Sequence, residues 1–181
     1  MAVVEAIKTT YLEADAAIIE FTSIPQTYEH LQLRISCRQS QAADSIDIEL
    51  RLGTGGGAVD SGTNYWGDRM SAYKTTLAAS MGGNRNVAKY ATQFASGADV
   101  DSAQYGCGVV DILDYANSSK KTTIMGHGGT ALGGGYPWVH FGSGLWNNTG
   151  ALDRIALAGY SYGTANLLRG TCITLYGWNS S

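Results

Sequence analysis

The chain is poor in the residues from which active sites and charged interfaces are built. Its 181 residues include two prolines, three histidines and three cysteines, and Asp, Glu, Lys and Arg together make up 15% of it. The net charge of −3 and the pI near 5.5 leave no cationic footprint for a phosphate backbone, since that attraction needs clustered Lys and Arg. Nucleic acid is not an expected partner. No run of 18 or more apolar residues exists, so membrane insertion is not expected. Met1-Ala2-Val3-Val4-Glu5 lacks the basic and apolar regions of a signal peptide, which predicts a soluble protein made in the cytoplasm without Sec export. Cys37, Cys107 and Cys172 are odd in number and far apart, fitting neither a disulfide framework nor a zinc site; buried free thiols are expected. There is no heptad segment, no repeat of fixed period and no clear interior helix.

Glycine, at 24 residues, is about twice its usual share. Around it runs period-2 alternation. From His30 to Arg38, Leu31, Leu33, Ile35 and Cys37 fall on one face and His30, Gln32, Arg34, Ser36 and Arg38 on the other. Ser45 to Leu52 alternates Ile46, Ile48, Leu50 and Leu52 against Asp47, Glu49 and Arg51. Glu5 to Leu12 and Ala17 to Thr22 are expected as a hairpin across Glu13-Ala14-Asp15-Ala16. Further strands are expected at Tyr105–Tyr115, paired with Lys121–Gly126, and at Tyr136–Leu145, Asp153–Ala158 and Gly170–Tyr176. Tyr65–Thr76 reads as a strand and Asn86–Phe94 as a strand or a short helix. Gly53–Gly62 and Gly126–Gly135 read as glycine-rich loops, either mobile or in contact between subunits. The pattern predicts one domain over 1–181, an all-β antiparallel β-sandwich or jelly roll of about eight to ten strands.

Three motifs bear on chemistry. Gly159-Tyr160-Ser161-Tyr162-Gly163 fits the spacing of a nucleophile elbow, yet no His, Asp or Glu follows it, and a serine without a base is a poor nucleophile; it reads as a glycine-rich hairpin. Neither glycine loop carries the Lys-Ser/Thr ending or the following helix that a phosphate site requires. Asp99, Asp101, Asp111 and Asp114 lie close in sequence but lack calcium-loop spacing, so no metal and no cofactor is expected. The aromatics are more informative. Tyr136, Trp138 and His140 alternate with Pro137, Val139 and Phe141, placing rings on both faces of one strand; Tyr65-Trp66 and Trp146-Asn147-Asn148 are similar candidates expected in loops. Tyr65, Trp66, Tyr136, Trp138, His140 and Trp146 are therefore the candidate interface or glycan contacts.

Ile24-Pro25-Gln26-Thr27-Tyr28-Glu29-His30-Leu31-Gln32-Leu33-Arg34, Asp111-Ile112-Leu113-Asp114-Tyr115-Ala116-Asn117, Ser143-Gly144-Leu145-Trp146 and Cys172-Ile173-Thr174-Leu175-Tyr176-Gly177 occur in an order that resembles virion structural proteins of tailed bacteriophages. The middle, Gly53 to Ser102, does not take part in that likeness. The resemblance implies a β-sandwich or jelly-roll particle component, similar to both head decoration (cement) proteins and distal tail-fibre domains, and it brings no catalytic residues. A chain that starts at Met1 and is nearly all sandwich, without a shaft, favours the decoration protein. The expectation is a homotrimer on the outer capsid surface of the virion, bridging major capsid proteins and stabilising the head. The alternative is a tail fibre or receptor-binding module in which Tyr136, Trp138, Trp146 and the glycine loops contact host glycan or surface protein. A glycan-cleaving enzyme has only scattered carboxylates in its favour, and enzymatic activity is not expected.

Overall fold

The structure, a computed structural model, describes residues 4–87 and 89–180. Twelve strands occur among them: β1 (Val4–Tyr11), β2 (Ile18–Phe21), β3 (His30–Cys37), β4 (Ser45–Thr54), β5 (Tyr65–Tyr73), β6 (Thr76–Val87), β7 (Tyr90–Ser96), β8 (Gly106–Leu113), β9 (Thr122–Ala131), β10 (Pro137–Trp146), β11 (Leu152–Ala158) and β12 (Cys172–Trp178). They form an antiparallel sandwich. The larger sheet has the order β1-β12-β3-β8-β9-β10-β5-β6, the smaller β2-β11-β4-β7.

The connectivity is that of a jelly roll with additions. The pairings β2-β11-β4-β7 and β3-β8 with β5-β6 are those of two interleaved Greek keys, in which the chain crosses between sheets at nearly every connection. The β9–β10 hairpin is inserted between β8 and β5, and β1 and β12 extend the opposite edge. The β1 and β2 segments therefore do not make the expected hairpin: β1 pairs with β12 and β2 with β11. Local turn chemistry at 13–16 fits a hairpin equally well; long-range pairing decides otherwise. The strand β6 went unread because its glycines and asparagines carry no alternation, and β7 settles the 86–94 region as strand, with Ala88 outside the described residues.

The alternation is borne out over β3, but Arg38, expected on the polar face, lies past the strand's end and is buried. Leu31, Leu33, Ile35 and Cys37 are buried, facing Ile48, Leu50 and Leu52 of β4 and Ile155 and Leu157 of β11 in one core. Each such side chain contributes roughly 1.5–3 kcal/mol on full burial. Burial pushes the Cys37 thiol up to about 12. Cys107, in contrast, is exposed, because it holds an outward position on β8.

Of the six glycines expected to form a loop over 126–135, Gly126, Gly128 and Gly129 lie in β9. Their role is close packing. A Cβ on Gly128 would lie 2.3 Å from the Cys107 carbonyl oxygen and 2.8 Å from the Phe94 ring, and one on Gly108 would lie 2.2 Å from that same ring. A Cβ on Gly144 would meet the Tyr90 ring at 2.5 Å. Inward-facing glycines on β8, β9 and β10 thus form a trough that receives Phe94 and Tyr90 from β7, the edge of the smaller sheet. Only the turn from Leu132 to Tyr136 remains of the second glycine loop, whereas the first is found over residues 55–64.

Two buried ionic groups fix long connections. Arg38 donates to four backbone carbonyls, of Asp101 (2.6 Å), Val100 (3.0 Å), Gln104 (3.3 Å) and Ala98 (3.4 Å), and so clasps the segment between β7 and β8. Glu49, 1% exposed, holds the turn after β11.

Candidate interaction surface

The six candidate aromatic and histidine residues separate into three environments. Tyr65 and Trp146 lie not in loops but at the paired ends of β5 and β10, in the core, their rings stacked with centroids 6.3 Å apart. The Tyr65 hydroxyl accepts the Leu52 N–H at 2.8 Å, and burial pushes its phenol pKa up. The Trp146 indole donates to Asp60 Oδ2 at 2.8 Å. Burial raises the Asp60 pKa, but hydrogen bonds from Trp146, Asn64 and the Gly62 amide outweigh it and the net shift is downward. Neither ring can meet a partner.

His140 is also interior, at 1% exposure, edge-on to Phe94 with centroids 5.6 Å apart. Burial, and then the charge of Arg69, hold its pKa down at about 4, so the imidazole is neutral at pH 7. The remaining three are accessible. Tyr136 and Trp138 lie where the β9–β10 hairpin turns, beside Tyr73, and Trp66 stands beneath the Lys121 ammonium at 5.7 Å.

An exposed apolar feature lies on the other face of β10. Cross-strand register places Met70 of β5, Phe141 of β10, His127 of β9 and Val109 of β8 in one row across the outer side of the eight-stranded sheet. The neighbouring row runs Leu77, Ala72, Val139, Gly129 and Cys107. Leu77 is 72% exposed, Val139 58%, Met70 49%, Phe141 45% and Met125 36%. Farther along the first row, Arg34, Thr174 and Thr9 make the same face polar. An apolar band concentrated on one half of a sheet face is the form an interaction site takes, whereas scattered apolar residues carry no such meaning. Alternation in β10 already separated Val139 and Phe141 from Trp138 and His140. What sequence could not supply was which set faces the smaller sheet.

The Gly159–Gly163 segment is neither a hairpin nor an elbow. Ser161 (φ 52°, ψ 39°), Tyr162 (φ 46°, ψ 68°) and Gly163 (φ 88°) form one left-handed turn folded over the smaller sheet. The amides of Ser161 and Tyr162 donate to Glu49 at 3.0 and 2.6 Å, and Lys89 donates to the same carboxylate. The turn binds the protein's own anion through its backbone amides. Arg51 lies 3.4 Å above the Tyr162 ring.

Two depressions accompany these surfaces. A cleft of about 190 Å³ between β7 and the overhanging β5 is lined by Asp47, Glu49, Arg69, Lys89, Tyr90 and Tyr160, with Arg69 paired to Asp47 at 2.8 Å and Lys89 to Glu49. An open groove of about 410 Å³ runs past Tyr28, Glu29, His30, Asp114, Asn117 and Ser180, where His30 Nδ1 accepts the Asp114 amide. Among the described residues no group of three or more His, Cys, Asp or Glu side chains is arranged to hold a metal, and no helix is long and apolar enough to cross a membrane. The sequence matches no protein-family model and no curated protein.

Proposed function

We propose that this protein is a non-enzymatic structural component of a tailed-phage particle, and within it a decoration protein that docks on the outer surface of the capsid. The observation that carries this reading is the band of Met70, Leu77, Met125, Val139 and Phe141 on the outer face of β6, β5, β10 and β9. A sheet face that is apolar on one half and hydrogen-bonding on the other has the composition of an interface core with a polar rim. The order-matched phage-like segments and the jelly-roll connectivity agree with it. The role follows mechanically: self-association, as a homotrimer, lets one small subunit engage several major capsid proteins, and weak contacts add through effective concentration. Buried interface at those junctions resists the pressure of packaged DNA.

Light scattering on the purified protein, alone and mixed with empty capsids that lack it, tests the reading. A trimer that sediments with capsids and raises their disruption temperature supports decoration. A protein that ignores capsids but adsorbs to host cells refutes it in favour of a tail receptor-binding role.

A further inference from the structure

A second surface, at one end of the sandwich, has different chemistry. Because β5 and β10 pair with Trp138 opposite Tyr73, the β5–β6 and β9–β10 turns lie side by side. Trp138 and Tyr73 stand on the inner side of the sheet, two positions beyond buried His140, and are half covered. Their rings stack at 5.8 Å and 26°, and Tyr136, 45% exposed, meets Tyr73 edge-on at 6.1 Å and 88°.

The turn that carries Tyr136 is fixed. Gly134 (φ 83°) and Gly135 (φ 80°) adopt left-handed backbone, the Leu132 amide donates to the Tyr136 carbonyl at 2.7 Å, and the Gly133 amide donates to Asp44 at 3.2 Å. On the adjoining turn Lys74, itself at φ 52°, places its ammonium 3.8 Å from the Tyr136 ring centre and 5.0 Å from that of Tyr73. Lys74 belongs to none of the ion pairs among the described residues. The Trp138 indole N–H is sheltered from solvent and has no acceptor in the protein. That N–H faces inward, so what the shelf offers a ligand is flat rings and a cation that belongs to no ion pair among the described residues.

From this arrangement we propose that the Tyr73–Tyr136–Trp138–Lys74 shelf is a binding subsite for an acidic saccharide. The C–H face of a sugar stacks on aromatic rings, and its hydroxyls suit the polar tips of Tyr73 and Tyr136. A carboxylate on the sugar gives Lys74 the counter-ion it lacks in the fold, in a charge-assisted hydrogen bond. A neutral sugar leaves that cation held only by the rings. The inference does not rest on the virion reading, because the shelf and the outer apolar band are on opposite faces of β10.

Titration calorimetry of the full chain with oligogalacturonate and with a maltooligosaccharide tests it. Saturable binding of the acidic oligomer is expected, at least about tenfold tighter than the neutral one. Tyr136→Ala, at an exposed position, is expected to weaken binding by about tenfold or more without moving the unfolding midpoint, and Trp138→Ala by at least as much. Lys74→Gln is expected to remove the preference for acid, whereas Phe141→Asp leaves sugar binding unchanged. No binding of either sugar at millimolar concentration overturns the proposal. So does equal binding of the two, a preference that survives Lys74→Gln, or affinity unaffected by Tyr136→Ala.

Discussion

Acid should loosen this sandwich from inside, through His140. Its ring is interior, faces the Phe94 edge and lies within the field of Arg69, and its pKa is depressed from 6.5 to about 4. The unfolded chain therefore takes up a proton at pH values where the fold refuses it. Stability from this group is complete above pH 6.5 and declines as pH falls from about 6.5 towards 4. A shift of that size corresponds to about 3 kcal/mol at 1.36 kcal/mol per pH unit. At ~2–4 °C per kcal/mol for a chain of this size, the loss amounts to roughly 6–12 °C in melting temperature. The assay compares urea unfolding of the wild type and His140→Leu between pH 8 and pH 4.5. Carboxylates such as Asp60, whose pKa is lowered, also withdraw stability as pH falls, but they do so in both proteins and cancel in the difference. The wild type should lose most of its ~3 kcal/mol relative to the variant over that interval. A difference that stays flat with pH would refute the argument that His140 is held neutral by burial.

Other perturbations have equally direct readouts. Gly128→Ala drives a Cβ to 2.3 Å from the Cys107 carbonyl and should cost about 3 kcal/mol or more by urea titration, the upper end for overpacking, because backbone cannot yield as a side chain can. Arg38→Met removes donors from four carbonyls and should cost about 2–4 kcal/mol, with hydrogen exchange rising in 97–105 before the rest of the fold. Glu49→Gln weakens the acceptor for two amides and the Lys89 ammonium; a loss of about 1–3 kcal/mol is expected, with proteolytic nicking near Tyr160–Gly163 as a second measure. Phe141→Asp should leave the melting temperature within about 2 °C of wild type, as an exposed substitution does, while abolishing sedimentation with capsids.

What the sequence disclosed depended on how local each determinant is. In β3 a two-residue period meets a one-sided core, so Leu31, Leu33, Ile35 and Cys37 could be placed inward from the pattern alone. The glycines of β9 were misread because entropy argues against glycine in a strand, and only the opposing Phe94 and Tyr90 rings, more than thirty residues away in the chain, show why it is needed there. Pairing of β1 with β12 spans almost the whole polypeptide and leaves no mark in residues 4–22. At the candidate surface, Tyr136, Trp138 and Trp66 proved accessible, whereas Tyr65, Trp146 and His140 serve the interior. Ring chemistry is the same in both settings, and composition cannot separate a core aromatic from a contact aromatic. Val139 and Phe141 were visible as a face, but not as the outer one.

The decoration reading is tested at its centre by a cryo-electron microscopy map of a tailed-phage particle proposed to carry this protein. Density for this jelly roll is expected on the outer surface of the head lattice, as a trimer, with the Met70–Val139–Phe141 band turned towards the major capsid protein. A map in which the head lattice carries no such density, or in which that band faces solvent, would contradict it.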